Sequence, residues 1–450
     1  MSSIPDRLAR AGLWEMLMQR RSRRFGLGMK MPAGPLAYTS RHAPQPLTLD
    51  EEAALALAAA GITGPTLADF CFAPGEGGNI LNGFVGRTVS SGDGIQTVAL
   101  LVINDEGCWL VKRPRDFPGA ELGEVIRLTR ERSLAEVYRR SRVQVKAGRV
   151  APPREPLFNL NCNRWSAHAP GTTSFLPVND LTFLYINGLL EVFDETTAAF
   201  VVDERASFRP AGLGRFARSR GGHLEDDPRA GRLATVELVE RLVTEFVTVE
   251  QGMMLQNLAL TAEALGLGGF PNFANHEFGW FQAAGFRMAE MPASKYLGAG
   301  RLIALAMKVL RRDVIVPFPV GLEVEGRPWL KAYCPPYFKS MREAVEAVVE
   351  AKGASIQAAA NDGLWVNGST LAAQCPAISE TAIAATIAYC EYLWRRYGRF
   401  PAYLAPFRTV LSFQACHLDA EFYDRFYRPG ALTAAHRADF ARMTGKPQDA

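Results

Sequence analysis

Near the N-terminus, Gln19-Arg20-Arg21-Ser22-Arg23-Arg24-Phe25 gathers four guanidinium groups and a hydroxyl in one short segment. A phosphate dianion needs several fixed donors; arginine offers a planar fork and serine a short hydroxyl. The same composition also suits a solvated basic turn after a helix. A second stretch runs from Gln251 to Pro271. Met254, Leu258, Thr261, Ala262 and Leu265 recur at helical spacing, so one face of a helix of roughly four turns is apolar. Gly266 stands where such a helix needs a left-handed terminal residue, and Pro271 keeps the chain from coiling again. The glycines of Gly266-Leu267-Gly268-Gly269 close a helix, whereas anion cradles open one. A third stretch, Ser90-Ser91-Gly92-Asp93-Gly94-Ile95-Gln96-Thr97, is a glycine-rich turn leading into the apolar Val98–Ile103.

In order along the chain, these three stretches resemble the FMN-dependent nitroreductase superfamily. The first resembles its Arg-Arg-Ser-x-Arg-x-Phe signature, the third its Pro-Ser-x-x-Asn-x-Gln-Pro loop, and the second its central helix, which ends in Gly-Leu-Gly before Phe-Pro. Two departures stand in the loop: Ser90 replaces the usual proline and Gly94 the usual asparagine. The resemblance implies FMN as cofactor, with Arg20, Arg21, Ser22 and Arg24 around its phosphate and ribityl chain and Arg24 also near the pyrimidine edge. It implies that Ser90, Ser91, Gly92, Gly94 and Gln96 reach the flavin from the partner of a homodimer. By position, Asn272, Phe273 and Ala274 supply the backbone N–H groups that face the reactive ring nitrogen, with Pro271 beside the flavin just before them. A late lysine or arginine completes the phosphate site, and Lys331, Lys339 and Arg342 are the candidates. His276 follows that edge by two residues, and its ordinary pKa suits a proton donor. His417-Leu418-Asp419, with Tyr423 and Asp424, is a further local acid/base grouping.

The implied activity is hydride transfer between a donor such as NAD(P)H and a small organic substrate. Alternatives are a specialised flavin-dependent dehydrogenase or dehalogenase-type enzyme, or a flavin-free binding protein that keeps the fold. Composition sets the surroundings. At 450 residues, 48% hydrophobic and 21% charged, the chain reads as an ordinary globular protein. A net charge of +4 does not suggest nucleic acid as partner. No apolar run is long enough to span a membrane, no secretory signal opens the chain, and seven scattered cysteines fit neither a disulfide framework nor a structural metal site. Cytoplasmic residence, no membrane partner and no metal are the expectations.

The fold expected is α+β: a three-layer α/β/α nitroreductase-like arrangement around a mainly antiparallel sheet. Residues 1–335 would form the FMN-binding domain, with an insertion at about 151–231, and 336–450 a helical extension packed on it. Within that plan, Asp6 to Arg20 reads as one amphipathic helix with Leu8, Leu13, Leu17 and Met18 inward. Leu49–Ala60 reads as a helix capped through Thr48, and Phe70–Phe84 as a glycine-dense loop. Ile95–Ile103 and Cys108–Val111 read as a hairpin, Glu121–Val145 and Val178–Phe193 as helices, and Phe200–Val202 as a short strand. Arg205–Arg220 reads as a flexible basic loop, Leu233–Leu265 as a helix continuous or kinked near Gly252, and Asp313–Glu325 as a strand. Lys339–Lys352 and Glu380–Tyr397 read as late helices.

Overall fold

The computed structural model describes residues 3–67, 84–92, 94–152, 160–273 and 277–446. Ala274, His276 and most of the glycine-dense loop therefore lie outside the described residues. The chain is α+β. Its largest sheet runs in the order Gly268–Phe273, Leu411–Cys416, Thr173–Asp180, Ala99–Ile103, Gly107–Val111, Arg142–Ala147, with every neighbouring pair antiparallel. The short strand Phe407–Arg408 also pairs with Thr173–Asp180. All residues of Ala99–Ile103 and Thr173–Asp180 are buried, so both faces of the sheet centre are covered.

Local signals account for several elements. Thr48 and Glu51 form a capping box that starts the helix Leu49–Ala60. The long helix Val236–Ala264 begins at the Thr235 cap and passes Gly252 without a break, burying Met254, Leu258 and Ala262 against the sheet. Gly266 follows with φ +68°, as the left-handed exit requires. Gly268 meets a second constraint: a Cβ there would lie 2.2 Å from Leu418 Cδ2 and 2.9 Å from Arg23 O. These glycines let backbones approach, which agrees with the helix-closing role read from their order.

Other expectations are corrected. The N-terminal helix is two, Ile4–Arg10 and Leu13–Gln19; of the four residues expected inward only Leu8 packs on the core, together with Ile4. Leu13, Leu17 and Met18 face solvent together with Trp14. Glu121–Val145 is two helices, Gly119–Arg130 and Leu134–Ser141, followed by the edge strand Arg142–Ala147. The supposed insertion contains Thr173–Asp180, the strand joining the two halves of the sheet. Alternation is lost in a strand buried on both sides, and Pro177 in mid-strand argues against one. Here the Pro177 carbonyl is met by Gln251 Nε2 at 3.0 Å and Thr409 Oγ1 at 2.8 Å. The segment 336–450 is not only helical, because Leu411–Cys416 is inserted between two strands from earlier in the chain. Arg205–Arg220 is also no free loop: Ala211, Leu213, Phe216 and Ala217 are buried and Arg205 lies over Tyr403.

Candidate functional site

The arginine segment reaches the sheet at one corner. Arg23 bridges Gly269, and Gly26 bridges Leu418, so residues 23–27 run along the ends of Gly268–Phe273 and Leu411–Cys416. Tyr423, on the helix Ala420–Phe426, accepts from the backbone N–H groups of Arg24 at 2.9 Å and Phe25 at 3.2 Å. The four arginines then divide. Arg23 is buried, pairs with Glu263 at 2.7 Å and donates to the Ala431 carbonyl at 2.8 Å. Burial still holds the Glu263 carboxyl above its ordinary value. Arg20 is half-buried, while Arg21 and Ser22 lie exposed on the turn. Beside them an open groove of about 540 Å³ is lined by Met18, Gln19, Arg21, Arg23, Glu263 and the segment Gly430–Ala435.

Arg24 points the other way. Its Nη2 donates to Asn163 Oδ1 at 2.8 Å, Ser166 Oγ at 3.0 Å and the Cys162 carbonyl at 3.2 Å. The guanidinium lies 4.4 Å from the centre of the Phe270 ring and 5.2 Å from that of Trp165. Its Nε is buried and has no partner, and burial lowers the Arg24 pKa. Asn163 passes the contact onward, donating from Nδ2 to Asn272 Oδ1 at 2.7 Å. Two sequence stretches some 250 residues apart thus meet through Arg24, Asn163 and Asn272. Pro271, Asn272 and Phe273 form the end of the strand, paired with Phe413, Ser412 and Leu411.

The third stretch is elsewhere in the same chain. Ser91 Oγ donates to Glu250 Oε2 at 2.7 Å, and Gly92 sits against Phe246. Gly94 and Gln96 both have positive φ, and the Gln96 Oε1 is buried without a partner. Ser90 is exposed. From Glu250 to Glu263 the long helix rises about 20 Å, so this turn is remote from Arg23 within one chain. Lys331 lies at the end of the hairpin Ile315–Val324 and Arg327–Lys331, over Phe338 and Tyr333. No contact joins it to the arginine segment among the described residues.

Sequence reasoning missed Asn163, Trp165, Ser166 and Tyr423 as members of this corner. The run Asn161-Cys-Asn-Arg-Trp-Ser166 carries a polar and aromatic signal, but it stood in a region taken for an insertion. The grouping around His417 also resolves differently. Its Nδ1 lies 2.7 Å from Asp439 Oδ2 and its Nε2 3.5 Å from Glu51 Oε2, with all three side chains buried. Arg442 contacts both carboxylates at 2.5 Å. Asp419 instead caps the helix Ala420–Phe426. Burial opposes a charge on His417, yet the two carboxylates hold its pKa up at about 9. Burial likewise works against ionised Glu51, but His417 brings it down to about 2.

No family model matches the chain, and no curated protein matches it. Among solved structures, it is similar to one described as "a putative nitroreductase" from Ralstonia eutropha JMP134. The identity is 14%, the match covers 62% of this chain and 77% of that one, and the TM-score is 0.30. The functional reading therefore rests on this chain's own residues and geometry.

Proposed function

We propose that the protein is an FMN-dependent oxidoreductase of nitroreductase type that works as a homodimer. The observation that carries this reading is the junction of Arg24, Asn163 and Asn272, which draws the proposed anion-binding segment and the proposed flavin edge into one corner. The donor set suits FMN: Arg20, Arg21 and Ser22 offer charge and a hydroxyl on an accessible turn, and Arg24 keeps an unpartnered Nε. In this reading Arg20, Arg21 and Ser22 hold the phosphate, and Arg24, steadied on Phe270, sets positive charge at the pyrimidine edge. In this reading the strand end at Asn272 and Phe273, paired with Leu411–Cys416, contributes backbone donors of fixed direction, and Ala274 is the next proposed donor. Bound FMN supplies hydride exchange between a donor such as NAD(P)H and a small organic substrate. His276 is the proposed proton donor, and Lys331 remains a proposed phosphate contact.

The remoteness of the Ser90–Gln96 turn supports a second copy. Leu242, Phe246, Val249 and Met253 form an exposed apolar stripe along the long helix, and Leu13, Trp14, Leu17 and Met18 expose another near its far end. Antiparallel packing of two long helices would cover these stripes and carry one chain's turn toward the other's arginine segment. The deciding experiment is purification followed by heat release of any bound flavin, with sedimentation in parallel. A yellow dimer that releases FMN supports the reading; colourless protein that takes up no added FMN would sink it. Phe246→Asp should yield monomers, and a dimer unaffected by this change would remove the stripe from the interface.

A further inference from the structure

One helix presents its apolar side outward. In Arg301–Val309 no residue is buried, and only Ala304 and Met307 are partly covered. Leu302 is 84% and Val309 72% exposed, and Ile303, Leu305 and Leu310 are also open to solvent. At 100° per residue, these five share one broad face, with Arg301 and Lys308 on its flank. Arg311 and Arg312 follow directly, then the exposed Val314 and Ile315. None of the four cations has a carboxylate at ion-pair distance among the described residues. Asp313, the only acid from 301 to 315, is bonded to Ser294 at 2.8 Å.

We propose that this face docks on an anionic lipid surface, seating the apolar side chains among the acyl chains and the four cations at the headgroup phosphates. No helix among the described residues is long and apolar enough to cross a membrane, so the contact is peripheral. A wide apolar face bordered by unpaired lysine and arginine is the pattern of a helix lying in the interface plane, because their long stems reach past the apolar zone to the phosphates. A second copy fits this face less well: a twofold contact here would set the same four cations against each other. The proposal is independent of the flavin reading.

The test is co-sedimentation of the full chain with phosphatidylcholine vesicles, with and without phosphatidylglycerol. Binding should require the anionic lipid and weaken as salt rises and the Debye length shrinks. Leu305→Glu with Val309→Glu should abolish it, and the exposed charge reversals Lys308→Glu and Arg312→Glu should each weaken it by about fivefold or more. Unchanged melting temperatures would show that the variants fold, and flavin content, if any, should stay the same. Equal partitioning to neutral and anionic vesicles, or none to either, overturns the proposal. So does undiminished binding by both kinds of variant. A smaller sedimenting species for the Leu305/Val309 variant, with no lipid binding by the parent protein, would assign the face to a second copy instead.

Discussion

Two charged regions meet within a few residues of each other at the end of Leu411–Cys416, and they are built on opposite terms. Around His417, one buried imidazole and the partly buried Arg442 guanidinium face two buried carboxylates and are ion-paired with them. Along Arg20–Arg24, only Arg23 is closed in this way, by Glu263. Among the described residues Arg20 and Arg21 form no side-chain ion pair, although Arg21 still feels the Glu263 carboxylate, and Arg24 is held by neutral acceptors and rings. Charge density alone does not separate structure from function. Whether the counter-charge comes from the protein itself is the more telling property, since buried charges persist only when paired.

The largest effect expected from this contrast is on stability at the closed cluster. Asp439→Ala should cost about 3–5 kcal/mol in denaturant unfolding, because it strands His417 and Arg442 beside a single carboxylate. A cost near zero would mean that the cluster is not a structural clamp. Arg23→Ala comes next, at roughly 3 kcal/mol, as it leaves Glu263 buried without its partner. It tests whether this arginine belongs with the closed region despite standing among the open ones.

At the open region the readout changes. Arg20→Ala and Ser22→Ala should weaken FMN binding by about ten- to a hundredfold, the loss of a charge-assisted hydrogen bond, while unfolding free energy moves by less than about 0.5 kcal/mol. Flavin titration beside denaturation would measure both; a stability loss with intact FMN affinity would reverse the assignment.

The most gradual effect expected is a slope in pH. His417 has its folded pKa raised from 6.5 to about 9, so its contribution is complete below the unfolded value and is lost as pH climbs through about 9. Glu51 is lowered from 4.5 to about 2, so its contribution is present above the unfolded value and fades as pH falls toward 2. Denaturation midpoints from pH 6 to 10, on the scale of these shifts, should fall on the alkaline side for the parent protein. His417→Gln should flatten that alkaline limb. An identical limb in both would place the titration elsewhere.

Much of the local structure was legible from residue order. Thr48 with Glu51 starts the helix Leu49–Ala60 by hydrogen bonds that reach only three residues, so neighbours in sequence suffice. The apolar face of Val236–Ala264 and the hairpin of Ala99–Ile103 with Gly107–Val111 were readable for the same reason. The centre of the sheet was not. Thr173–Asp180 and Leu411–Cys416 carry Pro177, Ser412 and Gln414, and burial on both faces removes the alternation that marks a strand. Their place depends on partners more than 200 residues apart, such as Gln414 with Ser166 and His168. The arginine segment shows the division at its sharpest. Its composition raised the expectation of an anion site, but that Arg23 pairs with Glu263 while Arg20 stays open was decided only when the long helix brought Glu263 beside it.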